Sequence, residues 1–163
     1  MKTLLIVWHS RTGGARRMAE AAARGAGLEP AVRTRLLAAE QAGPDDLLEA
    51  AGYIFAAPEN LASLSGAMKE FFDRTYYPVL DQLQGRPYAV MICAGSDGTG
   101  AARQVARIAT GWRLRAVAEP LIICTQAQTP EAIAAEKLLS AEQLAPCADL
   151  GQALASGLAL GVF

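Results

Sequence analysis

The chain has 163 residues, 52% of them hydrophobic and 19% charged, with a formal net charge of −1. That length fits one domain whose core needs no disulfide staples, and the balance excludes a disordered chain. Near-neutrality excludes a global basic field for nucleic acid, and equally an acidic field for docking a basic redox protein.

The elements alternate in type along the chain. Thr3 to Trp8 is a continuous apolar run, partly β-branched, which reads as a strand buried on both faces. It is too short for the apolar core of a signal peptide, and no run approaches the roughly 20 apolar residues of a membrane span. A cytoplasmic protein without a span is therefore expected. Ala15 to Gly27 is rich in Ala, Arg, Met and Glu and closes on Gly25 and Gly27, a helix with a glycine stop. Ala31 to Leu37 sets Val32, Thr34 and Leu36 against Arg33 and Arg35, as in a strand near a sheet edge. Pro44 opens a short helix over Asp45 to Ala51, and Tyr53 to Ala57 is a third strand that Pro58 should end.

Ser65 to Asp73 then reads as a helix, Tyr88 to Ala94 as a buried strand, Gly100 to Trp112 as a helix and Leu121 to Thr125 as a fifth strand. A looser region from Gln126 to Ser140 precedes a last helix, Ala141 to Leu160. Cys93, Cys124 and Cys147 are odd in number and fit no ligand spacing, so they read as reduced core thiols, and no metal site is expected. Strands alternating with helices imply an α/β fold: a doubly wound, five-stranded parallel sheet filling residues 1–163 as one domain. Ligands of such sheets sit beyond the carboxyl ends of the strands, where strand order reverses, as in the order 2-1-3-4-5.

Three loops at that edge carry the candidate chemistry. The first, Ser10-Arg11-Thr12-Gly13-Gly14-Ala15, combines hydroxyls, glycines and a helix start, so that backbone N–H groups and a partial positive charge can face an anion. On this loop alone a plain helix cap fits equally well. The second begins Pro58-Glu59-Asn60-Leu61, with polar groups at the strand end and Leu61 able to lie against a flat ring. The third, Gly95-Ser96-Asp97-Gly98, lets backbone N–H groups approach a ring edge, or forms a helix start capped by Ser96 or Asp97. His9, the only histidine, reads as a capping or solvent residue. Tyr76, Tyr77 and Trp112 are aromatics with either a ligand or a core role, and at least two of them are expected in the core.

These loops resemble the flavodoxin-like family, in particular its short-chain flavodoxins and NAD(P)H-dependent FMN and quinone reductases. Ser10, Thr12 and Gly13 match a phosphate loop that usually reads Ser/Thr-x-Thr-Gly-Asn-Thr, while Gly14 and Ala15 replace the Asn and final Thr. Pro58-Glu59-Asn60, with Gly66, Lys69, Phe72, Asp73 and Arg74, is similar to the reductase branch's ring-contacting loop and helix. The resemblance implies bound FMN on all three loops, flavin-borne redox chemistry without a catalytic side chain, and NADH or NADPH as co-substrate. The implied partner is a small-molecule redox substrate or a redox protein. Reductases of this kind are often dimeric or tetrameric, so a homo-oligomer is compatible with the resemblance; the apolar C-terminal run Leu154 to Phe163 can pack internally or on a neighbour, and internal packing is the reading preferred. A flavodoxin-type electron carrier and a flavin-free binding module are the competing readings on the same fold.

Overall fold

A computed structural model describes the whole chain, Met1 to Phe163. Seven strands, β1 (Lys2–Trp8), β2 (Val32–Ala38), β3 (Gly52–Asn60), β4 (Ser63–Leu64), β5 (Pro87–Ala94), β6 (Arg115–Ala116) and β7 (Leu121–Cys124), form one sheet. Six helices, α1 (Gly14–Ala26), α2 (Pro44–Glu49), α3 (Gly66–Thr75), α4 (Thr99–Gly111), α5 (Pro130–Ala134) and α6 (Ala141–Leu160), connect or cover them.

The order is β2-β1-β3-β5, all parallel, with the fifth position split. There β6 pairs with the start of β5 at Pro87 and Tyr88, and β7 with its end at Met91 to Ala94. This is the expected 2-1-3-4-5 core, its last strand broken in two. Strand order reverses between β1 and β3, so the crevice lies at their carboxyl ends.

Two apolar layers follow from the strand period of two. Leu4 and Ile6 of β1 face a layer closed by Met18, Ala22, Cys147 and Leu158 of α1 and α6. Leu5 and Val7 face the opposite layer, where Phe55, Phe71, Phe72 and Trp112 interlock. Cys93 and Cys147 are buried, and burial raises the Cys147 thiol to about 11, so it is protonated at neutral pH. Cys124 departs from the core expectation: it is only half-buried.

Pro58 does not end its strand. β3 continues through Pro58, in register with Cys93, to Asn60. The ladder to β1 closes with His9 N donating to Ala56 O, so the N–H that Pro58 lacks would face a neighbour that has already ended. Past Asn60 the chain doubles back, with Glu59 opposite Leu64 and Asn60 opposite Ser63. The hairpin tip, Leu61 and Ala62, sits at φ 53° and 62°, a left-handed turn that non-glycine residues adopt at a cost of about 1 kcal/mol each.

α1 and α6 pack backbone to backbone. A Cβ added at Gly25 would fall on the carbonyl of Ala148, and one at Gly151 on the carbonyl of Ala22. Gly151→Ala should therefore force the helices apart and lower unfolding free energy by about 1–3 kcal/mol, read as a lower urea midpoint. Gly66→Ala, where a Cβ meets nothing within 4 Å, should leave that midpoint unchanged or raise it.

Candidate flavin-type site

α1 and α4 start in the same way and end up in opposite states. Each is preceded by a left-handed glycine, Gly13 at φ 97° and Gly98 at φ 91°, with no side chain of its own to cap the helix. At α4 the Glu59 carboxylate arrives from β3, Oε1 accepting from Gly98 N at 2.9 Å and Oε2 from Ala101 N at 3.0 Å. A carboxylate on a helix N-terminus satisfies both orphan donors and the helix dipole. At α1 nothing comparable arrives.

The Ser10 hydroxyl oxygen accepts from Gly13 N at 2.9 Å, and Arg17 N donates to Gly13 O as the helix begins. The N–H groups of Arg11, Thr12, Gly14, Ala15 and Arg16 find no acceptor within the chain. Gly14 and Ala15 are buried side by side at this opening. Unsatisfied N–H groups at a buried helix start are an anion cradle in structural terms.

Gly14 has a packing reason. A Cβ built there would overlap the Cys93 sulfur and would sit 3.4 Å from Lys137 Cβ. Cys93 rises from the end of β5 beneath the loop, and burial pushes its thiol up while the nearby Lys137 charge pulls it down. The Asn of the resembling loop cannot stand at this position without moving Cys93.

The cradle opens into a cleft of about 660 Å³ lined by Ser10, Arg11, Thr12, Gly14 and Ala15, by Pro58 to Ala62, and by Cys93 to Ser96. The structure thus brings most of the predicted residues to one cavity. Gly13, Asp97 and Gly98 are set apart from it. Gly13 lines a separate, more open cleft with Arg16, Arg17 and Glu136. Asp97 is exposed and accepts from Thr99 N and Oγ1, which holds its carboxyl below the usual range. Gly98 is pressed against Ile122, whose Cγ2 lies 2.6 Å from where a Cβ would stand. Of the two expected caps, Ser96 makes no bond to α4, while Asp97 accepts from Thr99 N at 3.2 Å and shares the helix start with Glu59. Leu61 stands fully exposed at the hairpin tip, on the rim of the cleft.

Side chains outside the cleft fix its walls. The Gln104 carbonyl of α4 accepts from Leu64 N at 2.5 Å, and its amide nitrogen donates to Ser63 Oγ at 3.0 Å, fastening the hairpin to the helix. His9 is neither a cap nor a solvent residue: its Nδ1 lies 2.9 Å from the hydroxyl of buried Ser65, and burial lowers its pKa while Glu40 opposes the shift. Ser65, at the start of α3, spends its hydroxyl there instead of on its helix. Trp112 is core, Tyr76 stacks on it at 5.8 Å, and Tyr77 is exposed, so only one of the three aromatics is fully buried. All three stand at the far ends of α3 and α4, roughly 15–20 Å of helix from the cleft.

Sequence reasoning missed the remaining wall. Thr125, Ala127, Ile133, Ala134 and Lys137 line the cleft from the region after β7. Its Thr129-Pro130-Glu131 carries a helix start, cap, first-turn proline and acid together, and Ala132 N donates to Thr129 Oγ1.

Residues 38–128, more than half of the chain, match the family described as NADPH-dependent FMN reductase. The chain belongs to this family. The matched stretch takes in β3 with its hairpin and the β5–α4 loop, two of the three loops around the cleft. The chain is also similar to a flavodoxin of Aquifex aeolicus, 34% identical over 108 residues, which is 65% of this chain and 56% of that protein. An NAD(P)H dehydrogenase (quinone) of Acidithiobacillus ferrooxidans is 34% identical over 95 residues, 46% of this chain and 48% of that protein. The chain thus spans about half the length of the curated relatives it matches. An archaeal flavodoxin structure superposes with a TM-score of 0.77 at 18% identity, covering 96% of this chain and 98% of that one, which shows the shared fold.

The cap that Glu59 gives α4 predicts a cost for removing it. Glu59→Ala should lower unfolding free energy by about 1–3 kcal/mol in urea titration, since two buried N–H groups lose a charged acceptor. An unchanged midpoint would mean that water replaces the carboxylate without loss.

Proposed function

We propose that the chain is an FMN-dependent oxidoreductase that takes electrons from NADH or NADPH and passes them to a quinone, a free flavin or a similar acceptor. Its open helix start carries the reading. The acceptor-free N–H groups of Thr12, Gly14, Ala15 and Arg16 fit a phosphate, and the family to which the chain belongs supplies the nucleotide. Ser10, Arg11, Thr12, Gly13, Gly14 and Ala15 form the proposed phosphate site, with Pro58, Glu59, Asn60, Leu61, Gly95, Ser96, Asp97 and Gly98 as the ring-side segments. Within that set, Gly13, Glu59, Asp97 and Gly98 act by shaping the loops, since their own contacts lie outside the cleft or on α4.

The redox chemistry is supplied by the flavin when bound, because no side chain here can carry a hydride. The chain's own residues bind and orient. The Thr12 hydroxyl and the loop amides fix the phosphate end, and the hairpin and the β5–α4 loop, held to one another by Glu59 and Gln104, set the width of the ring slot. His9 ties the start of the phosphate loop to the start of α3. The proposed setting is the cytoplasm, with a small-molecule redox substrate or a redox protein as partner. No helix is long and apolar enough to cross a membrane.

The similarity to a flavodoxin of Aquifex aeolicus favours a second reading, an electron carrier with the same cofactor. Steady-state kinetics separate the two. FMN-loaded protein should oxidise NADH or NADPH in the presence of a quinone, and inertness to both nucleotides with several acceptors would leave the carrier. Thr12→Ala should weaken FMN binding by about fivefold to tenfold with an unchanged melting curve, the effect of one hydroxyl hydrogen bond. Unchanged affinity would put the phosphate elsewhere.

A further inference from the structure

The segment between β7 and α6 crosses the mouth of the phosphate loop and is fastened to it. Lys137 N donates to Thr12 O at 2.8 Å, and Glu136 pairs with Arg17 at 2.6 Å. The same two residues lie against the glycines of the loop. Lys137 Cβ lies 3.4 Å from the position of a Cβ at Gly14, and Glu136 Cγ 3.9 Å from one at Gly13.

The Lys137 ammonium sits on the last carbonyls of α5 and on the loop. It donates to Ala135 O at 2.6 Å, to Ile133 O at 2.8 Å and to Thr12 Oγ1 at 3.3 Å, all of them uncharged. None of the chain's ion pairs includes Lys137. It lines the cleft together with Thr12, Gly14 and Ala15. A partly buried cation thus stands without a counter-ion beside N–H groups that also lack acceptors. Both features call for an anion at the same place.

We propose that Lys137 is the charge-bearing and positioning residue of the phosphate site, selecting a phosphorylated flavin over its unphosphorylated form. The proposal rests on the FMN reading above. Lys137 acts in two ways. Its charge attracts the phosphate dianion from within the cleft. Its N–H on Thr12 Oγ1 occupies a lone pair of that hydroxyl, leaving the Thr12 O–H to donate to the phosphate. The side-chain donors absent at Gly14 and Ala15 are thus replaced by one cation supplied from 125 residues along the chain.

The test compares FMN with riboflavin, which lacks the phosphate, by fluorescence titration of the full chain. Wild-type protein should prefer FMN. Lys137→Gln should lose about tenfold to a hundredfold in FMN affinity while its riboflavin affinity stays the same, and Lys137→Arg should recover most of the loss. Equal losses for both flavins would mean that Lys137 only holds the strap, and an unchanged FMN affinity would mean that its charge is not felt; either overturns the proposal. Should Lys137→Gln not fold, the wild type still decides. Its FMN affinity should fall with added salt while its riboflavin affinity does not, and equal salt dependence would overturn the proposal. Wild-type protein that binds neither flavin would overturn the FMN reading and this proposal with it.

Discussion

The N–H groups of Arg11, Thr12, Gly14, Ala15 and Arg16, around the partly buried start of α1, have no acceptor in the chain, and the neighbouring residues supply none. Gly13 sits at the cap with a left-handed backbone and no side chain, and Ser10 has committed its oxygen to Gly13 N. α4 shows what the protein does when such a start is not needed for binding: a carboxylate from a neighbouring strand closes it. Leaving donors unpaired costs stability, of the order of 1–3 kcal/mol for each that water cannot serve, so an anionic ligand would recover free energy that the fold alone does not. Binding and stability are linked through the same few atoms.

The rest of the cleft is arranged around that opening by groups that never enter it. Glu59 joins the β3 hairpin to the β5–α4 loop, Gln104 fastens the hairpin to α4, and His9 with Ser65 joins the β1–α1 loop to α3. Each is a contact between elements distant in sequence. The hairpin tip at Leu61 and Ala62 holds a backbone conformation that these residues do not favour, and the fastening on both sides keeps it there. On the remaining side Lys137 and Glu136 pack against Gly14 and Gly13 and are bonded to Thr12 and Arg17.

Much of this was legible in the sequence, because its signals are local. The alternation of Leu4 and Ile6 with Leu5 and Val7 marks a strand buried on both faces, and the succession of strands and helices leads to the sheet order and to the edge where the loops meet. Glycines and hydroxyls marked the loop at the open start of α1, although Gly14 answers to Cys93. What escaped depends on partners far along the chain. Pro58 reads as a strand end until the neighbour that stops at Trp8 is known. Glu59 reads as a ligand group until the start of α4, 39 residues on, is seen to take it. Lys137 lies in a stretch without periodicity, and its role exists only because the strap returns to Thr12.

Amide NMR of the full chain, uniformly labelled with ¹⁵N and titrated with FMN, tests the central claim most directly. The backbone amides of Thr12, Gly14, Ala15 and Arg16 should shift downfield as they gain a phosphate acceptor, while Gly98 and Ala101, already bound to Glu59, should keep their hydrogen-bonded shifts. FMN binding that leaves the Thr12 to Arg16 amides unmoved would contradict the claim that the open start of α1 receives the phosphate.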